Sequence, residues 1–151
     1  MRQADGRRCS NKRIILLIIT GLALVLIFAQ SVLPQSISGK ESGLLTDKVI
    51  NPLLAMFGLR PLTHNTVRKL AHITEFMILS ILLALCLRGR IVKSVGIGFT
   101  AAFLDESIQL LSDRGASITD VWIDLIGVTL GTLLGVLIRK AVVTHRKRKQ
   151  S

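Results

Sequence analysis

Four stretches of about twenty residues, roughly Ile14–Leu33, Lys69–Leu87, Val92–Leu111 and Asp120–Val143, are almost uninterruptedly apolar, and they restrict the fold more than any other feature of the chain. A helix rises 1.5 Å per residue and the hydrocarbon of a bilayer is ~30 Å thick, so each stretch is long enough to cross it. Lipid offers no partner for backbone N–H and C=O groups, which leaves closed barrels as the other spanning structure. Barrel strands require an alternating pattern of about ten residues, and none is present. The expectation is therefore all-α: an integral membrane bundle of four transmembrane helices. With 151 residues, half of them apolar, and no internal repeat or low-complexity linker, residues 1–151 form a single domain.

The distribution of charge sets the expected topology. Fourteen of the twenty lysines and arginines fall in residues 1–13, in the RGRIVK turn, or in the tail from Arg139 to Lys149. Positively charged loops stay in the cytoplasm, so the basic ends, 1–13 and 144–151, are expected inside, with Pro34–Arg68 and the SDRGASIT loop outside. The same tail has the charge to attract anionic lipid headgroups. Nucleic acid is not an expected partner, because few aromatic residues are available to stack on bases. The first stretch follows five basic residues and offers the small Ala29 and Ser31 near its end, so a cleaved export signal is the alternative to an anchor. Its apolar run is long for a signal core and three spans follow, which favours the uncleaved anchor. Cys9 and Cys86 form no CxxC pair and receive no chemistry. In the loop after the first stretch, GLLTDKVINPLLAMFG places Leu45, Val49, Leu53, Met56 and Phe57 on one helical face. Two readings stay open: an extracytoplasmic amphipathic segment along the membrane surface, or a cover packed over the bundle, bent at Pro52.

Polar residues interrupt the apolar runs at one level. His72 and Glu75 lie early in the second span, Asp105, Glu106 and Gln109 late in the third, and Asp120 and Asp124 early in the fourth. With the expected topology all of them sit roughly 3–10 Å below the outer surface. The spacings i, i+3 (His72, Glu75) and i, i+4 (Asp105, Gln109; Asp120, Asp124) direct each pair to one side of its helix. On the fourth span that side continues through Gly127, Gly131 and Gly135, a stripe that lets another helix approach, so the acids face protein. Gly98 and Ala102 lead to Asp105 in the same way, while Glu106, about 100° further round, is expected to aim at a different neighbour. A carboxylate in mid-membrane costs about 2.5–3.5 kcal/mol, and less near the interface. Five acids and a histidine at one level, with Arg68, Lys69 and Arg114 at the rim, therefore predict a polar pocket open to the outside. Each part also has a plainer reading: Ser117 and Asp120 have the spacing of a capping box, Arg68 and Lys69 that of headgroup anchors, and His72 suits an interhelical hydrogen bond.

Lys69, His72 and Glu75, then DExxQ (Asp105, Glu106, Gln109), then Arg114, Ser117, Asp120 and the GxxxG from Gly127 to Gly131 together resemble the VanZ-like family, over roughly Ile14 to Ile138. Phe76 stands where the family often has an aromatic hydroxyl, and Asp124 where it often has asparagine; the chain has no tyrosine to serve as a proton donor. The resemblance implies a small multi-pass protein of the bacterial plasma (inner) membrane, in a family whose namesake is associated with low-level teicoplanin resistance. It directs the leading expectation to a lipid-linked cell-envelope component or a lipoglycopeptide antibiotic as ligand. In an enzymatic version Glu106 or Glu75 acts as general base, His72 as its acid partner, Arg114 holds an anionic headgroup, and Asp124 is counted with the catalytic residues. Arg68, Lys69, Asp105, Gln109, Ser117 and Asp120 complete the binding surface. No cofactor is assigned, although a divalent cation on Asp105, Glu106, Asp120 and Asp124 is compatible with this chemistry. A non-catalytic binder or assembly partner is the competing class, and a proton-coupled transporter the third.

Overall fold

The apolar runs meet the length and composition requirements of helices, and helices are what they form in a computed structural model that describes residues 2–32, 43–112 and 118–149. The elements are α1 (Arg2–Val32), α2 (Asn51–Met56), α3 (His64–Cys86), α4 (Ile91–Leu111) and α5 (Ile118–Arg148), and no described residue lies in a strand. Helix ends depart from the sequence reading. α1 and α5 continue through the basic tails, where lysine and arginine favour the helix. α3 starts at His64 rather than Lys69 because Thr63 caps it, its Oγ1 accepting from the Thr66 N–H at 3.2 Å. Among the described residues, three segments are long and apolar enough to cross a membrane: Arg13–Val32, His64–Cys86 and Thr119–Arg148. α4 has 21 residues, but Lys93, Asp105, Glu106 and Gln109 lower its hydropathy, so this measure supports three spans where four were expected.

Ahead of α3 the chain makes a wide π turn, Thr46–Ile50, that runs into α2. Pro52 accounts for it. A proline ring crowds the carbonyl four residues back, and widening the turn, with Asn51 N–H donating to the Thr46 carbonyl, relieves the crowding. Leu45, Val49, Leu53, Met56 and Phe57 are each at least 49% exposed, which overturns the reading of this face as a cover packed on the bundle. The segment is tied to the start of α3 instead. Asp47 lies 3.3 Å from His64, and the Asn51 side chain both accepts from the Leu62 N–H (2.8 Å) and donates to the Leu62 carbonyl (3.2 Å).

The interior is built from Ile27 of α1, Phe76, Leu79 and Leu83 of α3, Ala101 and Ala102 of α4 and Val128 of α5. α3 and α5 form the most extensive pairing. Gly127, Gly131 and Gly135 face the carbonyls of Ile73, Met77 and Ile81, so two ladders with a four-residue step meet at backbone distance. Away from this interior the helices present exposed leucine, isoleucine and valine, among them Leu22, Leu26, Leu110 and Leu137. α3 turns into α4 through Arg88 and Gly89, both left-handed (φ 57° and 74°), with Gly89 N–H closing on the Ala84 carbonyl at 2.7 Å and Arg139 donating to the Arg88 carbonyl.

Candidate functional site

α1 and α4 finish at the end of the bundle where α3 and α5 begin, and each helix brings a polar group there. Asp105 and Asp124 are 0% exposed, Gln109 1% and Glu106 6%, with His72 half-buried beside them. One ligand-capable atom from each of His72, Asp105, Glu106 and Asp124 lies within 4.8 Å of all the others. His72 Nδ1 is 3.4 Å from Asp124 Oδ1 and 3.9 Å from Asp105 Oδ2.

The four groups differ in how they are held. Asp105 accepts from Gln109 Nε2 on Oδ2 (2.7 Å) and from the Ser31 hydroxyl on Oδ1. Ser31 also faces the Ile27 carbonyl at 3.0 Å, but it has a single hydroxyl hydrogen, so it donates to one of the two acceptors at a time. Both oxygens of Glu106, both of Asp124 and His72 Nδ1 are buried and have no hydrogen-bond partner among the described residues. Buried polar atoms are usually satisfied, so three such side chains in one cluster point to something they hold.

Glu106 thus joins Asp105 rather than aiming elsewhere. α4 is flanked by α1, α3 and α5, and a 100° step between two of these neighbours still looks into their shared interior. Glu75 is half-buried one turn further along α3 and is not one of the four. Arg68 lies 3.5 Å from Asp120, so it does more than reach for headgroups, and Asp120 is engaged by a cation. Lys69 is half-buried and forms no ion pair with a described acid. Arg114 and Ser117 lie outside the described residues, and with them the expected capping box and the proposed anion contact.

Ser31 was not legible as a member of the site. It is a lone small hydroxyl at the end of an apolar run, and its one signal is that α1 finishes at the level of DExxQ. Two further buried hydroxyls, Ser80 and Thr132, continue the polar interior roughly 12 Å inward from His72 and Asp124, at eight residues along each helix.

The Arg68–Asp120 pair lends itself to exchange. Reversing one charge, Arg68→Asp, is expected to lower the yield of folded protein from detergent extracts, and adding Asp120→Arg to recover most of it. A swap that recovers nothing would make the pair incidental to folding.

Residues 14–139 match the model of the family described as VanZ/LLP1. No curated protein and no solved structure matches the chain.

Proposed function

The chain belongs to the VanZ/LLP1 family, and on that premise we propose that it is a bacterial plasma-membrane protein whose polar end engages, from outside, a lipid-linked cell-envelope component or a lipoglycopeptide antibiotic. In this reading α4 is the fourth span, tolerated in lipid because its polar face is turned to α1, α3 and α5. Both basic ends lie in the cytoplasm, the tail against anionic headgroups, and the exposed apolar face around Val49 and Leu53 rests on the outer membrane surface.

The observation that carries the proposal is the convergence of His72, Asp105, Glu106 and Asp124, with no hydrogen bond to Glu106 among the described residues and His72 the neighbour of Asp124 at 3.4 Å. The Glu106 carboxyl group is available for proton transfer or for ligand, and His72 is placed to exchange a proton with Asp124. Lys69, together with Arg114, would supply positive charge for a phosphate or carboxylate headgroup. A second reading, a non-catalytic binding or assembly partner, is favoured by two contacts that fix helix register, Ser31 of α1 on Asp105 of α4 and Arg68 of α3 on Asp120 of α5.

Glu106→Gln keeps the shape of the side chain and removes its charge. In a susceptible bacterial host that the wild-type chain protects from teicoplanin, the variant is expected to insert normally and to lose protection. Retained protection with normal insertion would end the catalytic version. Sidedness is read separately, from a cysteine placed at Ser112 in a chain with Cys9 and Cys86 replaced. An impermeant thiol reagent is expected to label it in intact cells, and labelling confined to opened cells would reverse the topology.

A further inference from the structure

We propose that His72, Asp105, Glu106 and Asp124 bind one divalent first-row transition-metal cation, of the Mn²⁺, Fe²⁺ or Zn²⁺ class. The inference deepens the reading of the same end of the bundle and rests on it for the side from which the cation enters. The ligation chemistry stands on the geometry alone.

Three observations converge. The first is distance. Ligand atoms at about 2.1–2.2 Å from one cation are about 3.0–3.6 Å apart when adjacent and about 4.3 Å apart when opposite, so four atoms already within 4.8 Å of one another reach a common cation by side-chain shifts of about an ångström. The second is the state of the donors. Asp105, Glu106 and Asp124 are at least nine-tenths buried, and every carboxylate oxygen of Glu106 and Asp124, together with His72 Nδ1, lacks a hydrogen-bond partner among the described residues. The third is charge. Among the described residues the basic side chain within ion-pair reach of these three acids is His72, because Arg68 is spent on Asp120. Ionised as ligands, the three carboxylates would carry −3, and a dication bound with neutral His72 would bring the cluster to −1.

The donor set also selects the ion. An imidazole nitrogen beside three carboxylates suits Mn²⁺, Fe²⁺ and Zn²⁺ better than Mg²⁺ or Ca²⁺, which take oxygen alone. For the same reason the ligands are not the four acids expected from the sequence: Asp120 is occupied by Arg68 and His72 takes its place. Asp105 is already oriented, with Gln109 on one oxygen and Ser31 on the other, as outer hydrogen bonds commonly hold a ligating carboxylate. Any coordination position left over is filled by water or by an oxygen of the anionic headgroup.

The test uses the full-length protein in detergent, stripped with a chelator and reloaded with Mn²⁺ or Zn²⁺. Elemental analysis after desalting is expected to find about one ion per chain, and Glu106→Gln and Asp124→Asn are each expected to weaken binding at least tenfold, the upper scale being set by the loss of a ligand rather than of an outer partner. In a chain with His64 and His145 replaced, pulsed electron paramagnetic resonance of the Mn²⁺ form should show coupling to one histidine nitrogen, lost with His72→Gln. The wild-type chain decides even where a variant misfolds: no retained ion, or a retained ion without nitrogen coupling, overturns the proposal. Unchanged affinity in Asp124→Asn overturns it as well. Absence of metal alongside lost protection in Glu106→Gln would remove the cation and leave the envelope reading standing. Metal retained by a chain whose Ser112 site labels from the cytoplasm would do the reverse.

Discussion

Gly131→Leu is expected to remove the folded protein from the membrane fraction, while Gly96→Leu leaves it in place. A Cβ at Gly131 would fall on the Met77 carbonyl, and Gly127 and Gly135 meet Ile73, Ile81 and Ala84 in the same way. Ordinary carbon contacts need about 3.5–4.0 Å, so even one methyl group forces α3 and α5 apart by about an ångström along a contact made largely of backbone. Separating them also draws Asp124 from His72 and Val128 from the packed interior, which adds cavity to strain. Gly131→Ala is therefore expected to lower the thermal midpoint of the detergent-solubilised protein, and the leucine variant to fail outright. Gly21 and Gly96 have no atom within 4 Å of the added Cβ. There the higher helix propensity of alanine, about 1 kcal/mol over glycine, should leave stability unchanged or raise it. Equal effects at Gly131 and Gly96 would show that the close approach of α3 and α5 is not what holds the bundle.

The second large effect is expected at Asp105, and its sign depends on the substituent. In chelator-treated protein Asp105→Ala should destabilise. Ser31 can return its hydrogen to the Ile27 carbonyl, but Gln109 is left buried without its acceptor. An orphaned buried donor costs about 1–3 kcal/mol, whereas an interhelical hydrogen bond in a membrane is worth about 0.6 kcal/mol on average and up to about 1.7. The penalty for Gln109 consequently outweighs the lost bond from Ser31, and Ser31→Ala should be mild. Adding Gln109→Leu to Asp105→Ala should recover much of the loss, giving a coupling of about 1–2 kcal/mol in a double-mutant cycle. Asp105→Asn preserves an acceptor for Gln109 and presents an amide to Ser31 while removing one of three crowded acids. It is expected to match or exceed the wild-type chain in thermal stability when metal is absent, and to fall below it when Mn²⁺ is present. Additive effects in the cycle would mean that Gln109 finds another partner.

The sequence made some of this arrangement readable because helical spacing is local information. Gly127, Gly131 and Gly135 repeat every four residues on the face of Asp120 and Asp124, and a stripe of small residues has to meet another helix; the structure supplies α3 as that helix. His72, Asp105 and Asp124 could be put at one level by counting residues from the span ends, even though α3 begins earlier than its hydropathy suggested. Ser31 escaped because a single hydroxyl in an apolar run carries no periodicity. Glu106 was aimed away from Asp105 because an angle around one helix does not say how many neighbours surround it.

Length and polarity along the chain determined which segments are helices, which sides of them are polar, and that the acids gather near one end, since those properties depend on residues a few positions apart. Tertiary structure decided the partners between helices: Ser31 of α1 on Asp105 of α4, Arg68 of α3 on Asp120 of α5, His72 of α3 beside Asp124 of α5, and Glu106 left without a hydrogen bond among the described residues. Those outcomes turn on which helix lies across from which and on how closely glycine lets two backbones approach. No spacing within one segment contains that information.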